Sequence, residues 1–105
     1  MKQARRGRPE AAGRQIGDAA EFLELTTEEA AFVEVKLALA THLRESRVRH
    51  GWTQTDVARR VGSSQSRVAR MEAADTSVSL NPIVRSLLTL GASAADVGRV
   101  IARVA

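Results

Sequence analysis

The pattern of apolar positions predicts two short helices in the middle of the chain. The first carries three apolar residues at i, i+1 and i+4, which places them on one helical face: Val57, Ala58 and Val61. Thr53 precedes this stripe and is a good N-cap, because its hydroxyl can accept a hydrogen bond from a free amide. Gly62 ends the helix, since glycine adopts a positive φ without a steric penalty.

A second helix follows immediately. Either Ser63 or Ser64 caps it, and its buried stripe consists of Val68 and Met71. Two such stripes can pack closely at a steep angle when a small residue, here Ala58, lies at the crossing. The pattern therefore predicts a helix-turn-helix over residues 53–72.

A long helix is expected before this pair, over about residues 27–50. Thr26 and Glu29 have the spacing of a capping box at its start. Its apolar residues cover an arc of roughly 200° at about 100° per residue, about twice what one core requires. They are Phe32, Val33, Val35, Leu37, Leu39, Ala40 and Leu43. Either residues 16–25 fold back over the surplus, or a protein partner covers it.

Two further helices are expected after the pair. One begins near Ser79 and ends at Gly91, and it tolerates Pro82 in its first turn, where the amides are unpaired. The last helix is capped by Ser93, and Asp96 is favourable in its first turn. The pattern thus predicts an all-α fold with five helices and a long first helix.

Composition and charge add to this prediction. The chain has 105 residues and no cysteine, so disulfides and cysteine-ligated metals are excluded. One domain is expected over residues 21–105, after a flexible basic tail at residues 1–20. No apolar run approaches the roughly 18 residues of a membrane span, and we expect a soluble, cytoplasmic protein.

The charges are segregated along the chain. Residues 15–35 carry six acidic residues and no basic one, whereas residues 36–70 carry eight basic residues against two acidic ones. The basic block coincides with the predicted helix-turn-helix, which is the electrostatic footprint of a nucleic-acid binder. A charged surface that is merely solvated is the alternative interpretation.

The second helix of the pair leaves polar side chains exposed, with no carboxylate before Glu72: Gln65, Ser66, Arg67 and Arg70. Gln65 is the main candidate for base reading, because a glutamine amide can bind adenine through two hydrogen bonds. Arg67 can reach guanine in the same groove, and Arg70 can contact either a base or a phosphate.

The ordered set Gln54, Ala58, Gly62, Gln65, Val68 and Glu72 resembles the Cro/CI-type (XRE) helix-turn-helix regulators over residues 39–90. The resemblance implies a lambda-repressor-like fold and a DNA-binding function. It also implies a salt bridge between Arg47 and Glu72, with Val48 and Trp52 packed beneath it. Trp52 is therefore assigned to the core, with base stacking as the alternative.

The resemblance further implies that Gln54 contacts DNA phosphate, where the N-terminus of its helix also attracts an anion. We expect additional phosphate contacts from four other residues: Thr53, Arg44, Arg59 and Ser64. A homodimer would then read a near-palindromic operator in double-stranded DNA. The family often has glycine and basic residues after the position of Glu72, and Ala73, Ala74 and Asp75 depart from that pattern.

The layout also resembles small HigA-type antitoxins, which implies a toxin ribonuclease as partner and repression of a shared operon. A standalone regulator and a protein-interaction module are the alternatives. In the tail, Arg6-Gly7-Arg8-Pro9 resembles the core of an AT-hook, which enters the minor groove of A·T-rich DNA.

An enzyme is not expected. His42 and His50 have no third ligand at metal spacing, and isolated glycines do not form a phosphate loop. We expect no metal and no cofactor.

Overall fold

The computed structural model describes residues 25–104, which form five α-helices. They are α1 (Thr27–Arg49), α2 (Gln54–Val61), α3 (Gln65–Glu72), α4 (Leu80–Thr89) and α5 (Ala94–Ala102). No β-strand occurs within the described range, so the prediction of an all-helical fold with five helices is confirmed. The predicted basic tail at residues 1–20, with its AT-hook-like segment, lies outside the described residues.

The chain divides by its internal contacts into two units, with the boundary between Glu34 and Val35. In the first unit, Thr26 and Glu29 form a capping box at the start of α1. The Thr26 amide donates to Glu29 Oε1 at 2.8 Å, and the Glu29 amide donates to Thr26 Oγ1 at 3.1 Å. Phe32 and Val33 are exposed one turn further on.

The second unit, Val35–Ala105, holds the hydrophobic core. Its largest fully buried side chains come from all helices but α5: Leu39, Leu43, Val57, Val68, Met71, Ile83 and Leu87. Val97 and Val100 complete the core from α5. Leu88 on α4 and Ile101 on α5 are exposed, although both are large apolar side chains.

Val48 does not lie in the core, contrary to the expectation for this residue. It is 60% exposed. The reason is helical register: at about 100° per residue, nine positions place Val48 half a turn away from the buried Leu39. Trp52 is half-buried and packs against the core, as assigned.

A salt bridge joins α1 to α3. Arg47 Nε donates to Glu72 Oε2 at 2.6 Å, and Arg47 Nη2 donates to Glu72 Oε1 at 3.1 Å. Arg47 Nη1 also donates to the carbonyl oxygen of Trp52 at 3.0 Å. The Glu72 side chain is 4% exposed and that of Arg47 is 16% exposed, so the pair is largely removed from water. The hydrogen bond to Glu72 raises the pKa of Arg47 above its ordinary value.

The loop between α3 and α4 begins with a residue in an unusual conformation. Ala74 has φ +54°, in the left-handed region that favours glycine. Ala74 therefore holds a backbone conformation that glycine would adopt at lower cost. Lys36 Nζ donates to the carbonyl oxygen of Asp75 at 2.9 Å, which fastens this loop to α1.

Two short helices begin with capping boxes. Thr53 and Asp56 form the box of α2, and Ser93 and Asp96 form that of α5. The Thr53 backbone N–H, which donates to Asp56, lowers the pKa of that carboxyl, and the Ser93 backbone N–H lowers the pKa of Asp96. Both carboxylates therefore favour the folded state while they are ionised.

We predict that removing Arg47 destabilises the protein strongly. Arg47→Met leaves the buried Glu72 carboxylate without its cation, and the free energy of unfolding should fall by about 3 kcal/mol. Urea denaturation of Arg47→Met and of the double variant Arg47→Met/Glu72→Leu measures this. The double variant should recover most of the loss, and a single variant as stable as the natural protein would contradict the role of the pair.

We predict a loss of stability in acid that depends on Asp56 and Asp96. Their pKa values are lower in the folded state than the unfolded value of about 3.9. The stabilisation is therefore complete above about pH 4 and is lost as the pH falls through the folded-state values. Denaturation of the natural protein and of Asp56→Asn/Asp96→Asn across this pH range should show a shallower dependence in the variant. Identical pH dependences would disprove the assignment.

Candidate nucleic-acid interface

The turn between α2 and α3 is built from Gly62, Ser63 and Ser64. Gly62 has φ +70°, and the amide of Ser63 donates to the carbonyl oxygen of Ala58 at 2.9 Å, which closes α2. Ser64, not Ser63, is the N-cap of α3, and its Oγ accepts from the amide of Arg67 at 3.2 Å. Val57, Ala58, Val68 and Met71 are buried, so the two helices pack through apolar side chains.

The four candidate base-reading residues all lie exposed on α3: Gln65, Ser66, Arg67 and Arg70. They share one short helix of eight residues, and none of them is packed into the core. The geometry thus presents one amide, one hydroxyl and two guanidinium groups to solvent.

A chain of hydrogen bonds connects this exposed face to the buried salt bridge. Gln54 Nε2 donates to Glu72 Oε1 at 3.2 Å, and Gln65 Nε2 donates to Gln54 Oε1 at 2.6 Å. Gln54, the first residue of α2, therefore bridges the two ends of α3. Arg47 thus holds Glu72, Glu72 holds the amide of Gln54, and Gln54 holds the amide of Gln65.

This arrangement also determines the charge of the α3 surface. Glu72 is the only acidic residue of α3, and its carboxylate is buried and paired with Arg47. Arg67 and Arg70 are exposed on the same helix. The outer face of α3 is consequently positive as well as rich in hydrogen-bond donors, which suits a polyanion.

The candidate phosphate-binding residues divide into two groups. Thr53 and Ser64 are exposed helix caps whose hydroxyl oxygens accept backbone amides. The Ser64 hydroxyl also lies 3.3 Å from the hydroxyl of Ser66, with either one as the donor. Together with Gln54, they lie beside the starts of α2 and α3. Arg59 is exposed and pairs with Asp56 at 2.8 Å, whereas Arg44 lies on α1 with no ion pair inside residues 25–104.

Trp52 lies in a stack that sequence reasoning missed. The ring of His50 is parallel to it, with centroids 4.2 Å apart, and the guanidinium carbon of Arg60 lies 3.9 Å from the Trp52 ring centroid. Two groups this close to one ring centroid must lie on opposite faces. Both faces of Trp52 are thus covered, which leaves no face for base stacking. The only signal for this stack in the sequence was the position of Trp52, which follows the end of α1 and precedes Arg59 and Arg60 on α2.

Comparison with known protein families identifies the domain. Residues 38–100, more than half of the chain, match a family described as Helix-turn-helix domain, and the chain belongs to that family. No curated protein and no solved structure matches the chain significantly.

Two other kinds of feature are absent from residues 25–104. No helix of this range combines the length and the apolar character of a bilayer span. No three acidic or histidine side chains of this range lie close enough together to share a metal ion.

We predict that Ser64 and Ser63 differ in their effects on stability. Ser64→Ala removes the side-chain cap of α3 and should lower the free energy of unfolding by about 1 kcal/mol. Ser63→Ala is the matched control and should change it by less than about 0.5 kcal/mol. Thermal or urea denaturation measures both, and equal effects would contradict the assignment of the cap.

Proposed function

We propose that the chain is a sequence-specific DNA-binding regulator of the Cro/CI type that inserts α3 into the major groove. The observation that carries this proposal is the exposed face of α3, which bears donors and acceptors, lacks an unpaired carboxylate and is anchored to the core through Glu72. An α-helix fits the major groove, where each base pair presents a distinct pattern of donors and acceptors.

The hydrogen bond between Gln65 and Gln54 suits the proposed base reading. An amide group has two N–H donors and one carbonyl acceptor, and Gln65 uses one donor on Gln54. One donor and the acceptor remain, which is the pair that adenine N7 and N6 require. Gln54 thereby orients Gln65 before DNA arrives, so less side-chain entropy is lost on binding. Ser66, Arg67 and Arg70 extend the contact along the helix.

Phosphate contacts would hold α3 in this orientation. Gln54 uses one amide N–H on Glu72 and keeps the other, at the start of α2, where the helix dipole favours an anion. Thr53 and Ser64 supply hydroxyl donors. Arg59 and Arg44 supply charge, and this part of the affinity should fall as salt concentration rises.

A dimer is part of the proposal, because one module contacts few base pairs. Two copies would read half-sites about 34 Å apart on a near-palindromic operator. Large apolar side chains that remain exposed within residues 25–104 support a protein partner: Phe32, Val33, Leu37, Val48, Leu88 and Ile101. A regulator of this kind would act in the cytoplasm without catalysis, metal or cofactor.

The proposed biological role is that of an antitoxin that represses its own operon and binds a toxin ribonuclease. The acidic residues of the segment 15–35 have the charge that would attract a basic toxin. A standalone regulator is the alternative, and the absence of a neighbouring reading frame for a small basic ribonuclease would favour it. A protein-interaction module without DNA binding would shift no promoter fragment even at low salt.

We predict that Gln65→Ala weakens binding to the operator and relaxes base preference at one position. The loss should be about 1–3 kcal/mol, or roughly 5- to 150-fold in Kd, because one bidentate contact is removed. A gel shift with the DNA upstream of the protein's own gene, together with footprinting, measures this.

Arg59→Ala provides the contrast, since losing a phosphate contact should weaken operator and scrambled DNA about equally. Thr89→Ala, an exposed change at the end of α4, should affect neither. Operator binding by Gln65→Ala equal to that of the natural protein would rule out the proposed docking.

A further inference from the structure

A cleft lies between the end of α1, the turn from α4 to α5, and α5 itself. It has a volume of about 450 Å³, within the range of sites that hold small molecules. Its lining contains no residue of α2 or α3. The cleft is therefore built from elements other than the pair that carries the proposed DNA-binding face.

The charged side chains of this cleft favour an anion. Three arginines line it, Arg49, Arg99 and Arg103, against the single carboxylate of Asp96. Asp96 is already engaged, because it accepts the Ser93 amide at 2.8 Å and pairs with Arg99. Within residues 25–104, neither Arg49 nor Arg103 forms an ion pair. Arg49 at the end of α1 and Arg103 at the end of α5 thus bring two guanidinium groups to the same cleft. Neither group has a carboxylate partner in this range.

Ser46 provides an independent indication of a ligand. It lines the cleft and is only 8% exposed, yet its hydroxyl makes no hydrogen bond to any residue of the range 25–104. Buried hydroxyl groups nearly always have a partner, so an unpaired one beside a cleft points to a missing ligand atom. Leu90 and Val100 form an apolar wall beside it, which lowers the local dielectric and strengthens charge-assisted hydrogen bonds.

Two histidines, His42 and His50, also line the cleft, and the orientation of the His50 ring is fixed by a hydrogen bond. Its Nδ1 donates to the carbonyl oxygen of Ser46 at 2.7 Å, since a carbonyl can only accept. This bond fixes the ring so that Nε2 is the nitrogen left for another partner. The same ring stacks on Trp52, the only tryptophan of the chain.

We propose that this cleft binds a small phosphate-bearing molecule through Arg49, Arg103 and the Ser46 hydroxyl. Arginine is suited to phosphate because its planar guanidinium donates two parallel hydrogen bonds to an anion. The protein would thus have a ligand site besides its DNA-binding face, through which a metabolite could bias regulation. This proposal does not depend on the proposed DNA-binding function, and its test requires no operator.

Isothermal titration calorimetry of the full chain with inorganic pyrophosphate tests the proposal. We expect saturable binding at one site per chain, accompanied by a change in Trp52 fluorescence through His50. Arg49→Gln/Arg103→Gln should raise the Kd at least about tenfold, because two charge-assisted contacts are lost. The absence of saturable binding would overturn the proposal.

Arg59→Gln/Arg85→Gln is the matched control, since it removes the same charge from residues outside this cleft. It should leave the Kd within about twofold. An equal loss in the control would mean that pyrophosphate binds diffusely to a basic surface, which contradicts a defined site.

Ser46→Ala separates a binding role from a structural one. It should raise the pyrophosphate Kd several-fold without lowering the free energy of unfolding, because it removes a buried hydroxyl that has no partner in residues 25–104. If Ser46→Ala binds pyrophosphate as tightly as the natural protein does, the hydroxyl does not contact the ligand, and the proposed site is overturned.

The alternative source of phosphate is the DNA backbone. In duplex binding Arg59→Gln/Arg85→Gln is not neutral, because Arg59 is a proposed phosphate contact. If the cleft binds a free phosphate compound, Arg49→Gln/Arg103→Gln should therefore lose less affinity for a short non-specific duplex than Arg59→Gln/Arg85→Gln does. An equal or larger loss in Arg49→Gln/Arg103→Gln would assign the cleft to DNA and overturn the proposal.

Discussion

The buried pair of Arg47 and Glu72 is the interaction on which the rest of the structure depends. Removing a carboxylate from water is unfavourable unless a cation and further hydrogen bonds compensate it, and Arg47 and Gln54 supply both. The pair joins α1 to the end of α3, and through Gln54 it also fixes Gln65 at the start of α3. A structural ion pair in the interior thus determines the position of a side chain proposed to read DNA at the surface.

Much of this fold could be predicted from the sequence because its signals are local. Thr53, Gly62 and Ser93 act within one or two turns of the chain, and the apolar stripes of α2 and α3 need only helical periodicity to be recognised. The exposed face of α3 followed from the same periodicity. Val48 was misplaced because a likeness to a family suggested its packing, whereas the register of α1 directs it to solvent.

Features that depend on how the helices pack against one another could not be predicted in the same way. The stack of His50, Trp52 and Arg60 joins a helix end to the next helix, and the bond from Lys36 to Asp75 spans 39 positions. The Ser46 hydroxyl, which has no hydrogen-bond partner within residues 25–104, is recognised only when its surroundings are known, because a serine in a helix is ordinary in sequence. Each of these requires knowledge of which faces meet, which neither periodicity nor spacing supplies.

The central claim is that the exposed face of α3, oriented through Gln54, contacts DNA. The most direct measurement is an NMR titration of the ¹⁵N-labelled protein with the DNA upstream of its own gene. The account predicts that the amide resonances of Thr53, Gln54 and residues 64–70 shift most, together with the side-chain amides of Gln54 and Gln65. Shifts confined to α1 and α5, with those of α3 unchanged, would contradict it.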